Sequence, residues 1–208
     1  MRSETITLYY IHDPMCSWCW AFRPVWERLK QQLPPSVHVK YLLGGLAPDS
    51  DTAMAALMQQ EIQRHWRVIQ KRMPGTMFNF EFWTQCQPRR STYPACRAVI
   101  AARQQGPQYE DAMIRAIQTA YYLEARNPSD NETLIDLAKQ LNLGVDQFSK
   151  ALNDATTQTQ LLQNIRESQQ IGAYGFPSLV LHTRGENHAI GIDYNHMEIM
   201  LMEIESFF

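Results

Sequence analysis

Residues 6–20 read ITLYYIHDPMCSWCW, an apolar run that leads through a short loop into two cysteines separated by two residues. A short apolar, β-branched run that ends at a His-Asp-Pro sequence predicts a buried strand over residues 5–11. Beyond the cysteines, four apolar residues recur at helical spacing and predict a helix over residues 20–30. They are Phe22, Val25, Trp26 and Leu29.

The alternating run VHVKYLL at residues 37–43 predicts a second strand. Strand, helix and strand in this order form a βαβ unit, which implies two parallel strands joined by a right-handed crossover. The cysteine pair, Cys16 and Cys19, is therefore expected at the junction of the first strand and the first helix.

Residues 47–171 have helical periodicity throughout. Candidate starting residues are Asp51, Ser91 or Thr92, and a capping box from Ser129 to Glu132. The expected helices are residues 51–71, 91–105, 108–125, 129–141, 145–153 and 156–171.

Strand signals return at residues 178–183 and 188–192, and the Gly-containing turn between them predicts a β-hairpin. A C-terminal helix over residues 195–207 should pack on the sheet through one apolar face: Met197, Ile199, Met200, Met202 and Ile204. We therefore predict an α/β fold whose sheet is built from both ends of the chain. Residues 1–46 and 172–208 would form one domain, and residues 47–171 an inserted helical domain with its connecting helix.

Composition excludes several classes of protein. A chain of 208 residues can bury a core without covalent help, and four cysteines are too few for a disulfide-rich secreted scaffold. The net charge of −2, from 19 basic and 21 acidic residues with no long run of one sign, argues against nucleic-acid binding. No apolar stretch is long enough to span a membrane, and no cleavage site follows the first strand, so a cytoplasmic location is expected.

The position of the cysteines favours redox chemistry. A sulfur at the N-terminal turn of a helix lies near unpaired N–H groups and the positive end of the helix dipole, which stabilise a thiolate. Cys16 occupies that position and is expected to be the nucleophile. Cys19, one turn into the helix, is shielded and is expected to resolve a mixed disulfide by attacking Cys16.

The chain resembles the DsbA-like branch of the thioredoxin superfamily, in particular its cytoplasmic FrnE-like members. The resemblance is carried by three segments: DPMCSWCW at residues 13–20, STYPACR at residues 91–97, and GFP at residues 175–177. It implies a thioredoxin-like fold with a large helical insertion and a thiol-disulfide oxidoreductase or isomerase activity. The substrates would be protein or small-molecule thiols and disulfides, and no bound cofactor would be required.

The resemblance also implies further site residues. Phe176 and Pro177 would present backbone to an extended substrate beside the nucleophilic sulfur, with a cis bond before the proline, and Trp18 would join them in substrate binding. Thioredoxins place a buried acid six residues before the first cysteine, where this chain has Tyr10. We therefore expect His12 or Asp13, or water, to transfer the proton of the resolving thiol.

Other readings remain open. A zinc site would need a second closely spaced ligand pair, which Cys86 and Cys96 do not provide, so no metal is expected and these two cysteines are expected in the core. Arg97 is expected to form an ion pair. The alternative function is a glutathione-dependent isomerase or transferase of the kappa-class or chromene-carboxylate isomerase type. Such enzymes use a hydroxyl in place of the nucleophilic cysteine, so the presence of both Cys16 and Cys19 favours disulfide exchange, with glutathione as a candidate substrate. A partner-binding protein with an inactive cysteine pair is a third reading.

Overall fold

The computed structural model describes residues 6–208. Its sheet has four strands in the order β2-β1-β3-β4. The strands are β1 (Ile6–His12), β2 (Val37–Leu43), β3 (Ser178–Thr183) and β4 (Glu186–Ile190). Strands β1 and β2 are parallel, and β3 is antiparallel to both β1 and β4. The βαβ unit, the hairpin and the predicted thioredoxin-like fold class are confirmed.

Helix α1 (Ser17–Gln32) connects β1 to β2 and buries its apolar face in the core of the sheet unit. The core cluster includes Leu8, Tyr10, Phe22, Val25, Trp26, Leu29, Leu179, Leu181, Met200 and Ile204. All four residues that predicted this helix are buried. Their burial supplies the apolar contact that holds the start of α1 in place at the end of β1.

Seven helices lie between β2 and β3: α2 (Ala56–Arg72), α3 (Phe82–Gln85), α4 (Tyr93–Arg103), α5 (Gln108–Tyr122), α6 (Asn131–Gln140), α7 (Val145–Leu152) and α8 (Ala155–Gln170). The described residues form two compact units: residues 6–44 together with residues 164–208 make the sheet unit, and residues 45–163 make the helical unit. The predicted domain limits stay predictions. Among the described residues, no helix has both the length and the apolar character needed to cross a bilayer.

The helical unit has its own aromatic core around Trp66, whose side chain is fully buried. The Trp66 ring stacks on Phe78 with centroids 4.8 Å apart, and Tyr121 and Tyr122 present their edges to it at 5.6 and 5.5 Å. Aromatic pairs prefer such stacked and edge-on arrangements, so this cluster stabilises the unit beyond the area that it buries.

Among the helices between β2 and β3, the starts predicted for α2 and α6 are wrong. Helix α2 begins at Ala56, not at Asp51. Helix α6 begins at Asn131 with Asp130 as its N-cap, because the Ser129 hydroxyl donates a hydrogen bond to the Ser91 carbonyl (2.6 Å) and does not cap the helix. A tertiary contact has replaced the local one.

The C-terminal elements also differ from expectation. Arg184 and Gly185 both have positive φ and form a two-residue hairpin turn. Strand β4 therefore begins at Glu186, two residues before the predicted start at residue 188. The last helix, α9 (Met197–Glu205), buries Met200 and Ile204, but Ile199 and Met202 are exposed. Its packing face is therefore narrower than the apolar pattern suggested.

Candidate active site

The loop between β1 and α1 is closed by two hydrogen bonds that Asp13 accepts. Its Oδ1 accepts the Met15 N–H (2.8 Å), and its carbonyl accepts the Cys16 N–H (3.0 Å). This turn delivers Cys16 to the N-cap position of α1 in an extended conformation (φ −80°, ψ 118°). The N-cap normally holds a side chain that accepts helix N–H groups, and here it holds the thiol.

The environment of Cys16 lowers its pKa below the usual thiol value. The main cause is a hydrogen bond from the Cys19 side chain; backbone N–H groups of Cys19 and Trp18 act in the same direction. Burial and the Asp13 charge oppose this. The Cys16 side chain is 7% exposed. Cys16 is therefore the thiol of the pair that ionises more readily.

Cys19 has the opposite character. It is fully buried, and this burial, followed by the hydrogen bond with Cys16 and the charge of Cys16, raises its pKa well above the usual value. A backbone N–H of Asp13 favours its thiolate but does not outweigh burial. The pair thus combines an ionisable thiol at the helix end with a buried neutral thiol one turn further on.

The loop before β3 brings the third segment of the sequence to Cys16. The Cys16 thiol donates a hydrogen bond to the Phe176 carbonyl (3.5 Å), and the Phe176–Pro177 peptide bond is cis. Ser178 then pairs with Ile11 of β1. The antiparallel register of β3 against β1 is therefore what places this loop beside the cysteine.

Tyr194 is a site residue that the sequence analysis missed. It lies between β4 and α9, and its ring contacts those of Trp18 and Phe22 edge-on, at centroid distances of 5.5 and 5.7 Å. Burial, followed by the nearby Cys19 and Cys16, raises the pKa of the Tyr194 hydroxyl. No local sequence signal marks this residue, because only the fold brings residue 194 to the cysteines.

Tyr10 also faces the cysteines, in the position where thioredoxins carry an acid. Burial, the nearby Cys19, Cys16 and Tyr41, and a hydrogen bond with Cys19 all raise its pKa well above the usual value. Tyr10 therefore stays protonated and can donate to Cys19, but it is a poor proton acceptor.

The two residues predicted for proton transfer lie beside this group. His12 is fully buried, with its ring stacked on that of Tyr10 at 5.1 Å. Asp13 is also fully buried, and its charge raises the pKa of both cysteines. Their role in proton transfer stays a prediction.

The other cysteines lie in the helical unit. Cys96 is fully buried on α4, and half-buried Cys86 donates a hydrogen bond to the Ala125 carbonyl (3.0 Å). Within residues 6–208, no three His, Cys, Asp or Glu side chains are grouped so that they could hold a metal ion.

Arg97 links several segments of the helical unit through hydrogen bonds. Its guanidinium donates two hydrogen bonds to the Asp49 carboxylate, both 2.8 Å long. It also donates to the Leu152 carbonyl (3.1 Å) and to the Gln158 side chain (2.9 Å). These bonds join α4 to the segment between β2 and α2, to the end of α7 and to α8.

A family model described as thioredoxin matches residues 9–201. The chain belongs to the thioredoxin family. Its fold is similar to those of solved DsbA-like oxidoreductases. A solved structure from Nitrosomonas europaea, titled a "putative protein disulfide isomerase", is 28% identical with a TM-score of 0.85, and the match covers 98% of each chain. The "cytosolic disulfide reductase DsbM" of Pseudomonas aeruginosa is 22% identical with a TM-score of 0.75, covering 97% of this chain and 96% of that one.

Among curated proteins, the chain is similar to the "ClpXP adapter protein SpxH" of two bacteria. The identity is 22% for Halalkalibacterium halodurans and 23% for Bacillus subtilis, over 86% and 97% of this chain. The matched part spans only 59% of the first relative's length and 68% of the second's.

Proposed function

We propose that this thioredoxin-family protein is a thiol-disulfide oxidoreductase in which Cys16 is the nucleophile and Cys19 the resolving thiol. The observation that carries the proposal is the asymmetry of the pair. Hydrogen bonds at the start of α1 lower the pKa of Cys16, whereas complete burial raises that of Cys19. Disulfide exchange needs one thiol that attacks as a thiolate and another that stays neutral until a mixed disulfide has formed.

In the reducing direction, the Cys16 thiolate attacks one sulfur of a substrate disulfide and forms a mixed disulfide. The first substrate thiolate leaves and takes up a proton. Cys19 then loses its proton and attacks the Cys16 sulfur, which releases the second substrate thiol and leaves a Cys16–Cys19 disulfide. Two electrons pass to the substrate, and an external thiol such as glutathione would restore the dithiol. The reverse sequence oxidises a dithiol substrate. If instead another thiol of the same substrate attacks the mixed disulfide, Cys16 is released and the substrate carries a rearranged disulfide.

Three residues support a substrate-binding role for the surface beside Cys16. The Phe176 carbonyl already accepts a hydrogen bond from the Cys16 thiol, which marks where a substrate backbone or sulfur could bind. Pro177 follows directly, and partly buried Trp18 lies between the two cysteines in the sequence. We propose protein and small-molecule disulfides as substrates and the cytoplasm as the location, where the relative named DsbM is a disulfide reductase. No bound cofactor enters this cycle.

The curated relatives favour a second candidate. They are named adapters for ClpXP, a role that depends on binding a protein and not on disulfide exchange. In that case the surface around Cys16 would bind a partner without turnover. The glutathione-dependent isomerase is less well supported, because such an enzyme has no need for the resolving thiol Cys19.

The deciding experiment is reduction of insulin disulfides by the wild-type protein and by Cys16→Ser, Cys19→Ser and Cys86→Ser variants. We expect loss of activity with Cys16→Ser, accumulation of a mixed disulfide with Cys19→Ser, and wild-type activity with Cys86→Ser as the control. Equilibration in glutathione buffers, followed by alkylation and mass spectrometry, should show a two-electron transition of the Cys16–Cys19 pair. Absence of this transition, together with no reduction of insulin by the wild-type protein, would favour the adapter.

A further inference from the structure

Gly44 lies where β2 ends, next to the active-site loop. It is buried, and its N–H donates a hydrogen bond to the carbonyl of His12 (2.7 Å), which continues the parallel pairing of β1 and β2 by one residue. Its φ is not positive, so its backbone lies outside the left-handed region. A residue with a side chain could therefore adopt this backbone conformation, and the reason for glycine has to be space.

The ring of Phe176 occupies the space that a side chain at residue 44 would need. A Cβ built on Gly44 would lie 2.7 Å from Cδ1 of Phe176 and nearer still to Cε1 and Cζ. Real Cβ atoms do not approach other atoms so closely, and an aromatic ring is rigid, so the whole ring would have to move. The ring therefore rests directly on the glycine backbone.

The main chain of Phe176 contacts the nucleophilic thiol. The Phe176 carbonyl accepts the hydrogen bond of the Cys16 thiol, and two residues later Ser178 is fixed to Ile11 by the β1–β3 pairing. The Phe176 backbone is thus held on one side by the sheet and on the other by its own ring. We infer that Gly44 is a positioning residue of the active site: its bare backbone seats the Phe176 ring and so fixes the Phe176 carbonyl beside Cys16.

This arrangement predicts what a methyl group at residue 44 would do. Displacing the ring would pull the carbonyl away from the thiol, and a hydrogen bond that favours the neutral thiol would be lost. The thiolate fraction of Cys16 at neutral pH should then rise. The substrate-binding surface, which belongs to the proposed function, should at the same time become poorer. The first effect requires no disulfide turnover, so it can be tested even if the proposed function fails.

The experiment compares wild type, Gly44→Ala and Gly191→Ala. Gly191 lies in the same unit, and a Cβ there would meet only Glu203 Oε2 at an ordinary 3.5 Å, so Gly191→Ala is the matched control. The readout is the rate of Cys16 alkylation by iodoacetamide across pH, located by mass spectrometry. At pH values below the Cys16 pKa, we expect Gly44→Ala to raise the alkylation rate by about twofold to tenfold, which corresponds to the loss of one neutral hydrogen bond. The KM for a peptide disulfide should rise, and Gly191→Ala should change neither quantity.

A second comparison tests whether the effect passes through the ring. In a Phe176→Ala background the space is already free, so adding Gly44→Ala should change the alkylation rate no further. An equal increase in both backgrounds, or no increase in folded Gly44→Ala, would overturn the inference.

If Gly44→Ala does not fold by circular dichroism, recovery of folding in the double variant would show the steric coupling, and lack of recovery would refute it. Phe176→Ala alone would then supply the alkylation readout. A rate raised above wild type supports the inference, and an unchanged rate overturns it.

Discussion

The Cys19→Ala variant tests the electrostatic basis of the site, because it removes the first cause of the low Cys16 pKa. That cause is the hydrogen bond from the Cys19 side chain. A hydrogen bond to a charged group contributes about 1.5–3 kcal/mol. Its loss should lower the Cys16 ionisation constant about tenfold to a hundredfold. The backbone N–H groups of residues 18 and 19 remain, so part of the stabilisation should persist.

The assay is the pH dependence of Cys16 alkylation, with thiolate ultraviolet absorbance as an independent measure. Cys19→Ser is the matched control, because its hydroxyl can still donate to the Cys16 thiolate. We expect the midpoint of the Cys16 titration to move to higher pH with alanine and not with serine. Equal midpoints in the two variants would refute the reasoning, since the side-chain hydrogen bond would then not be what stabilises the Cys16 thiolate.

Three further predictions concern single residues. Because the pKa of Cys19 is raised in the folded protein, the dithiol form should lose stability as pH rises above about 8.5, where the unfolded thiol ionises. The lowered pKa of Cys16 acts in the opposite direction and offsets part of this loss. In urea unfolding, the stability of Cys19→Ala should therefore depend less on pH than that of the wild type. Tyr10→Phe removes a hydrogen-bond donor to Cys19 and should slow resolution of the mixed disulfide about tenfold in stopped-flow assays. Tyr9→Phe is the control and should not change this rate. Equal rates in the two variants would show that the Tyr10 hydroxyl does not assist Cys19. Arg97→Ala should lower the free energy of unfolding in urea by about 1–3 kcal/mol, because its hydrogen bonds are lost. Arg115 is exposed, so Arg115→Ala should change this free energy by less than about 0.5 kcal/mol. A similar small effect for both variants would show that the Arg97 hydrogen bonds contribute little to stability.

Much of the fold was predictable because its signals are local. Strand and helix periodicities repeat within a few residues, so the strand at residues 37–43 and the helices near residues 108 and 145 were found nearly to the residue. Errors came where a tertiary contact replaced a local signal. The Ser129 hydroxyl bonds to the Ser91 carbonyl and does not cap its helix, and the exposed Met202 is not buried against the sheet despite its helical spacing.

The cysteine pair was likewise determined by the sequence, since two residues of separation at a strand-to-helix junction place both thiols within one helical turn. What surrounds the pair was decided only by the tertiary structure. Tyr194 and the Phe176 carbonyl lie near the cysteine pair because β3 pairs with β1 and β4 pairs with β3, although both residues are at least 160 positions from Cys16 along the chain. The need for glycine at residue 44 likewise comes from the distant Phe176 ring, because the local backbone conformation does not require it. Periodicity and capping report on neighbours in sequence, whereas burial, hydrogen bonds to sulfur and close packing depend on residues that only folding brings together.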